Sequence, residues 1–452
     1  MAQRVVVVGG DAAGMTAASQ VQRAGKGGYE VVVLERGRHA SYSACGVPYW
    51  VAGDVDDADA LVARTPEEHR KRGIDLRMQT EAVALDVERR RVTARPEDGE
   101  TYELDYDQLV LATGATPVRP RLPGIDSGGI YGVQTLDDGE RLLAALATDS
   151  PRRAVVVGGG YIGIEMAEAM VRRGLAVTMV DQAPEPMTTL DPDMGRLVHE
   201  AMEGMGIDVR SGTAVKAFTA DDGGRVRAVV TEGDEIAADI VVLGIGVRPL
   251  VELAADAALP IVESGALEVD DRMAVPGHDG VWAGGDCAQT WNRVSRRWGH
   301  VPLGTHANKH GRVIGANVTG GDVLFPGIVG TAISKVCDLE VARTGLREAE
   351  AEAAGLDYRT ATIEATTTAG YFPGARSMTV KMLAEVGTGR LLGAQIVGRE
   401  GSAKRIDVCA VALWNEMTVP EIGSLDLGYA PPFSPVWDPV LTAANAVAAA
   451  LP

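Results

Sequence analysis

The sequence predicts an α/β chain of two doubly wound, parallel-sheet units followed by a C-terminal α+β domain. Three observations predict it. Glycine-rich strand–turn–helix–strand segments begin at Arg4 and again at Arg153, and mixed strand and helix patterns fill residues 326–452. The chain has 452 residues, too many for one core, since domains usually run to ~100–200 residues.

The first segment reads RVVVVGGDAAGMTAASQVQRAGKGGYEVVVLER. Val5 to Val8 form a continuous apolar run, as a parallel strand buried on both faces requires. Gly9 opens a tight turn, and Gly14 lets the following helix approach the strand. The free N–H groups of that helix would face a pyrophosphate, and Glu35, ending the second strand, would accept from a ribose hydroxyl. Asp11 stands where the middle glycine of a GxGxxG fingerprint is expected.

The second segment, AVVVGGGYIGIEMAEAMVRRGLAVTMVDQ, carries Gly158, Gly160 and Gly163 in full GxGxxG form, and Asp181 ends its second strand. An acid there favours NADH over NADPH, because it holds a 2′-hydroxyl and repels a 2′-phosphate. Gln182 follows rather than Arg. Arg172 and Arg173 are the alternative partners for a phosphate.

Between and after these units lie LVLATGATPVRPRLPG (109–124), with Thr113 and Gly114 at a strand end, and GVWAGGDCAQT (280–290), with Gly285 and Asp286. By itself Asp286 reads equally well as a helix N-cap.

Net charge is −19. Phosphate polymers and anionic membranes would be repelled over most of such a surface. No apolar run reaches the ~20 residues that span a bilayer, and the start enters a strand with no signal-peptide pattern; a soluble cytoplasmic protein is expected. The four cysteines, Cys45, Cys287, Cys337 and Cys409, form no close pair, so neither a metal site nor a disulfide framework is expected. Cys287, Cys337 and Cys409 read as small buried fillers. Cys45, in ASYSACGVPYWVAG, reads on composition as another.

The order of these motifs resembles that of the pyridine nucleotide-disulfide oxidoreductases, over essentially the whole chain. The resemblance implies two Rossmann-like domains: FAD-binding at 1–114 and 245–325, NAD(H)-binding at 115–244, and a dimerisation domain at 326–452. It implies FAD contacts at Gly9, Gly14, Glu35, Arg36, Val83, Thr113, Gly114, Gly285, Asp286, Thr305 and, from the C-terminal loops, Phe433. It implies nicotinamide contacts at Gly158, Gly160, Tyr161, Gly163, Glu165, Asp181 and Gly246, with Tyr161 as a gate and NADPH as the second candidate. The GVRPL element carries Leu250 where the family has Asn.

Ser41, Cys45, Gly46, Pro48 and Tyr49 resemble the single-cysteine branch, specifically coenzyme A-disulfide reductases. That resemblance makes Cys45 the redox-active cysteine, cycling through a bond to an external thiol or a sulfenic acid. It expects the Cys45 thiolate to be stabilised by oxidised flavin and the adjacent helix N-terminus. It implies substrate contacts at Thr16, Gln20, Arg23, Ser41, Arg72 and Asn308, with Lys71 the near alternative to Arg72. Tyr371 and Tyr429, in Gly/Pro-rich loops, would reach the partner subunit's site as proton donors; taken alone, these are surface turn aromatics. Ala44 departs from the Asn common before the cysteine. Ala12 replaces the His of the branch's peroxidases. The implied activity is reduction of coenzyme A disulfide or a related small disulfide by a homodimer. NADH oxidase and polysulfide or persulfide reductase activities are the alternatives.

Overall fold

The computed structural model describes residues 2–452. A first parallel sheet runs in the order Val281–Ala283, Gln108–Leu111, Gln3–Val8, Tyr29–Leu34, Ile74–Arg77. Val5, Val6 and Val7 are fully buried, pairing with Val31–Val33 on one side and Gln108–Val110 on the other. This apolar run forms a central strand because both of its faces are covered, by the helices Ala12–Ala24 and Gly304–Val318 on one of them.

A second parallel sheet repeats the plan: Asp208–Arg210, Ala176–Val180, Arg153–Val157, Ile240–Leu243, Ile130–Gly132. Each unit carries a three-stranded antiparallel sheet, at Thr80–Asp105 and Val215–Ala237. The chain enters and leaves the second unit through Ala115–Pro117 and Val247–Pro249, which pair antiparallel. Leu250 works through its backbone: its N–H donates to Gly114 O at 3.0 Å and its carbonyl accepts from Thr113 Oγ1 at 2.5 Å. Neither bond depends on the side chain.

The C-terminal region is a five-stranded antiparallel sheet, Ala332–Val336, Leu339–Gly345, Leu391–Gly398, Ser377–Glu385, Tyr358–Thr366. The helices Ile406–Trp414 and Pro439–Ala450 cover it. Among the described residues no helix is long and apolar enough to cross a membrane. Cys287 and Cys409 are fully buried, but Cys337 is only partly so: it occupies a hairpin turn at φ 58° and packs against the edge of the core instead of filling it.

Candidate functional site

Both glycine turns are built alike. Gly9 (φ 109°) and Gly158 (φ 101°) adopt a left-handed backbone that only glycine takes readily. A Cβ on Gly14 would lie 2.0 Å from Gly9 O, and one on Gly163 would lie 1.9 Å from Gly158 O. These two glycines therefore sit behind the turns, letting helix and strand touch, and do not line the cavity. Asp11 is tolerated in the middle position because its backbone is extended there (φ −116°), like that of Gly160 (φ −77°). Burial pushes the Asp11 carboxyl up to about 7.

The two acids close on their own turns. Glu35 accepts from Gly10 N at 2.7 Å and Gly37 N at 2.6 Å. Asp181 accepts from Gly159 N at 2.5 Å and Ala183 N at 2.9 Å. Arg172 and Arg173 are committed elsewhere: Arg172 pairs with Asp54, and Arg173 Nε donates to Val51 O at 2.5 Å. Neither lines the cavity, so the alternative phosphate partners are withdrawn.

The turn at Gly285–Asp286 is fixed by two histidines that sequence reasoning missed. Gly285 N donates to His310 Nδ1 at 3.1 Å, and His300 Nε2 lies 2.8 Å from Asp286 O. Burial holds His310 down to about 3. A neutral ring nitrogen can accept that backbone bond. Burial likewise raises the Asp286 carboxyl.

Cys45 lies in a short turn, Ala44–Gly46, before the six-residue helix Val47–Ala52. That helix packs through Val47 and Trp50 on Gly139 of Leu136–Asp149, so Cys45 stands where the first unit meets the second. The thiol is exposed to the cavity, but its surroundings push its pKa up: burial of the site first, then the charges of Glu165 and Asp286. A backbone hydrogen bond at Cys45 itself works in the opposite direction but is outweighed. Burial also raises Glu165, to about 7, although Ser334 Oγ donates to it at 2.8 Å and the Tyr49 hydroxyl lies beside it.

These groups share one connected cavity of 2370 Å³, against ~300–1,000 Å³ for an ordinary ligand pocket. Its walls include Gly9, Glu35, Arg36, Val83, Thr113, Gly114, Gly285, Asp286 and Thr305 from the first unit. Gly158, Gly160, Tyr161, Glu165, Asp181 and Gly246 come from the second. Gly9 and Gly158 leave no room for a Cβ, the helix N-termini face the cavity, and the volume admits more than one large ligand; the residues fit FAD and a nicotinamide dinucleotide.

Thr16, Arg23, Ser41, Arg72 and Asn308 also line the cavity, with Thr16 Oγ1 and Asn308 Oδ1 2.9 Å apart. Gln20 does not. Its Cβ and Cγ lie in the seam where the helix Ala12–Ala24 meets Gly315, and its amide oxygen accepts from Arg23 at 3.1 Å. It orients Arg23 instead of lining the wall. His69 was missed: it is fully buried in its own short helix, 2.9 Å from Ser41 Oγ. Tyr371, Tyr429 and Phe433 are not on this cavity. Tyr371 is 78 % and Phe433 76 % exposed, beside exposed Val436 and Trp437 on the C-terminal surface.

The pyridine nucleotide-disulphide oxidoreductase family matches residues 3–311, and its dimerisation domain matches residues 331–439. A similar protein is the CoA-dependent NAD(P)H sulfur oxidoreductase of Pyrococcus abyssi, 38% identical over 98% of this chain and 97% of its own. The NADH oxidase of Methanocaldococcus jannaschii is 34% identical over 98% of both chains. The crystal structure of reduced CoADR-RHD from Bacillus anthracis superimposes with a TM-score of 0.95 at 33% identity, covering 99% of this chain and 80% of that one. The motif order, the paired turns on one cavity and these matches agree: the chain belongs to the pyridine nucleotide-disulphide oxidoreductase family.

Proposed function

We propose that the chain is an FAD-dependent NAD(P)H oxidoreductase that reduces the S–S bond of a small persulfide or polysulfide, with coenzyme A as the carrier thiol. The observation that carries this reading is Cys45: a lone exposed cysteine opening on the cavity shared by both dinucleotide turns. The name and 38% identity of the archaeal sulfur oxidoreductase support sulfur over oxygen as acceptor. Coenzyme A disulfide, the first expectation from sequence, is the second candidate for the same site, supported by the B. anthracis structure.

Glu35, Asp286 and the turn at Gly9 would hold FAD; Asp181 and the turn at Gly158 would hold the nicotinamide dinucleotide, where the Asp181 charge would favour a 2′-hydroxyl, hence NADH, over a 2′-phosphate. Bound flavin supplies two-electron transfer between nicotinamide and sulfur. The Cys45 thiolate attacks the sulfane sulfur of RS–SH, forming Cys45–S–SH and releasing RS⁻. Two electrons then cleave the Cys45–S–SH bond, releasing HS⁻ and restoring the Cys45 thiolate. Thr16, Arg23, Arg72 and Asn308 bind the carrier thiol, and Tyr371 and Tyr429 of a second subunit donate protons.

Anaerobic NADH consumption tests this. Polysulfide with coenzyme A should support turnover at least tenfold faster than coenzyme A disulfide, and faster than air alone. Equal rates in air with and without sulfur would make the protein an oxidase and sink the reading.

A further inference from the structure

The segment Pro186–Asp191 follows Asp181 and, with Thr188 and Thr189, forms part of the cavity wall beside Tyr161. It is irregular in structure, so few bonds of its own hold it. Met187 N donates to Gly159 O at 2.7 Å, and Pro186 packs against the fingerprint turn, 3.1 Å from where a Gly159 Cβ would stand. Any shift of this segment is therefore felt at the glycine turn and at Tyr161, whose buried hydroxyl faces that of Thr189.

Asp191 O caps the following helix Pro192–Gly204, accepting from Met194 N at 3.0 Å and Gly195 N at 2.9 Å; the further side-chain hydrogen bonds to the segment come from the C-terminal domain. Arg343 donates to Thr189 O at 2.9 Å, and Arg347 donates to Thr188 O. Gln395 grips Asp191 twice: its Oε1 accepts from Asp191 N at 2.7 Å, and its Nε2 donates to Asp191 Oδ2 at 2.6 Å. Lys381, 3% exposed, places its ammonium 3.1 Å from Asp191, 2.8 Å from Asp193 and 2.5 Å from Glu348. An ammonium this deep is retained only when carboxylates surround it, and these carboxylates would repel one another without it.

We propose that Lys381 and Gln395 are positioning residues for the nicotinamide cofactor. From the C-terminal sheet they fix Asp191, and through it the 186–191 wall, so this domain sets affinity for NAD(P)H. The inference rests on the proposed nicotinamide site but is independent of which sulfur compound is reduced. Other ties between the two domains, Ser334 to Glu165 and Cys337 N to Glu168 at 2.7 Å, do not involve this wall. Loosening the wall therefore leaves the domains docked.

Gln395→Met keeps the volume and removes both bonds to Asp191. Lys381→Met removes the charge, and Lys381→Arg restores it. Each is measured as full-length FAD-loaded protein for the Kd of NADH by anaerobic titration, for KM and kcat, for FAD content, and for the rate at which polysulfide reoxidises dithionite-reduced protein. The expected result for Gln395→Met and Lys381→Met is an NADH Kd and KM raised about tenfold, with FAD content and the sulfur half-reaction within twofold of wild type. Lys381→Arg should recover most of the loss. If Lys381→Met fails to fold, Gln395→Met decides alone. A folded, FAD-replete Gln395→Met with wild-type NADH affinity overturns the inference, as does an equal loss in both half-reactions. A wild-type protein that binds NADH tightly but reduces no sulfur compound would defeat the functional reading and leave this one standing.

Discussion

Cys45 stands among negative charges. Burial first, and then Glu165 and Asp286, raise its thiol, so the chain by itself suppresses the nucleophile it exposes. Two predictions follow from that placement. Cys45→Ser should keep fold and flavin content, and NADH should still bleach the flavin. Sulfur turnover should fall by about 10³-fold or more, because a hydroxyl at its ordinary pKa does not replace a thiolate; stopped-flow bleaching and steady-state rates separate the two halves, and turnover surviving intact would make Cys45 a packing residue. The second concerns Glu165, raised to about 7. Below that pH it is largely neutral and above it charged, so its repulsion of the thiolate is present only on the alkaline side. In flavin-free protein, Glu165→Gln should speed iodoacetamide labelling of Cys45 by about 2- to 5-fold at pH 8, the size of a modest charge–charge term, and change little at pH 5.5. Mass spectrometry reads this directly, and an equal effect at both pH values would count against it.

At the level of elements, the helix Gly304–Val318 crosses Ala12–Ala24 through Gly311 and Gly315, one turn apart. A Cβ on Gly315 would lie 2.6 Å from Gln20 Cβ and 2.7 Å from Ala17 O. The backbones touch there, and that contact carries Asn308 to Thr16 and holds the cavity wall. Gly315→Ala should therefore destabilise by about 1–3 kcal/mol through overpacking, visible as a lowered Tm; an unchanged Tm would mean the helices separate at no cost. These elements also mark how far the sequence could be read. Both glycine turns and their terminal acids were legible because turn, helix and acid are local in the chain and each glycine answers to a backbone need. His310 under Gly285, Gln395 on Asp191 and Lys381 among three carboxylates were not. Each acts across long sequence separations, 204 residues for Gln395 and Asp191, and no local pattern marks such a pairing. Gln20 misled because helical spacing gives the face a residue is on, not which neighbour that face meets.

For the whole molecule, the exposed aromatics of the C-terminal surface set the terms. Tyr371, Phe433, Val436 and Trp437 are each left largely exposed in one subunit. With the family's dimerisation domain matched at residues 331–439, a second subunit covering this surface is expected. If Tyr371 and Tyr429 serve the partner's cavity, each site takes Cys45 from one chain and the tyrosines from the other. Mixing inactive Cys45→Ser subunits with slow Tyr371→Phe/Tyr429→Phe subunits should then produce hybrid dimers with one fully wild-type site, recovering about half the wild-type rate per hybrid. Hybrids no faster than the tyrosine variant's own sites would place the tyrosines outside the reaction.

The first sheet is also incomplete for most of the chain's synthesis. Its edge strand Val281–Ala283 pairs with Leu109–Leu111, yet the entire second sheet, from Ile130 to Leu243, is made in between. The second unit is contiguous and can fold as it leaves the ribosome. The first must wait with an open edge beside Leu109–Leu111, and Asp286 and the His310 that supports its turn arrive later still. If the first unit holds the flavin as proposed, a ribosome stalled before residue 281 would display a folded second unit and capture no flavin.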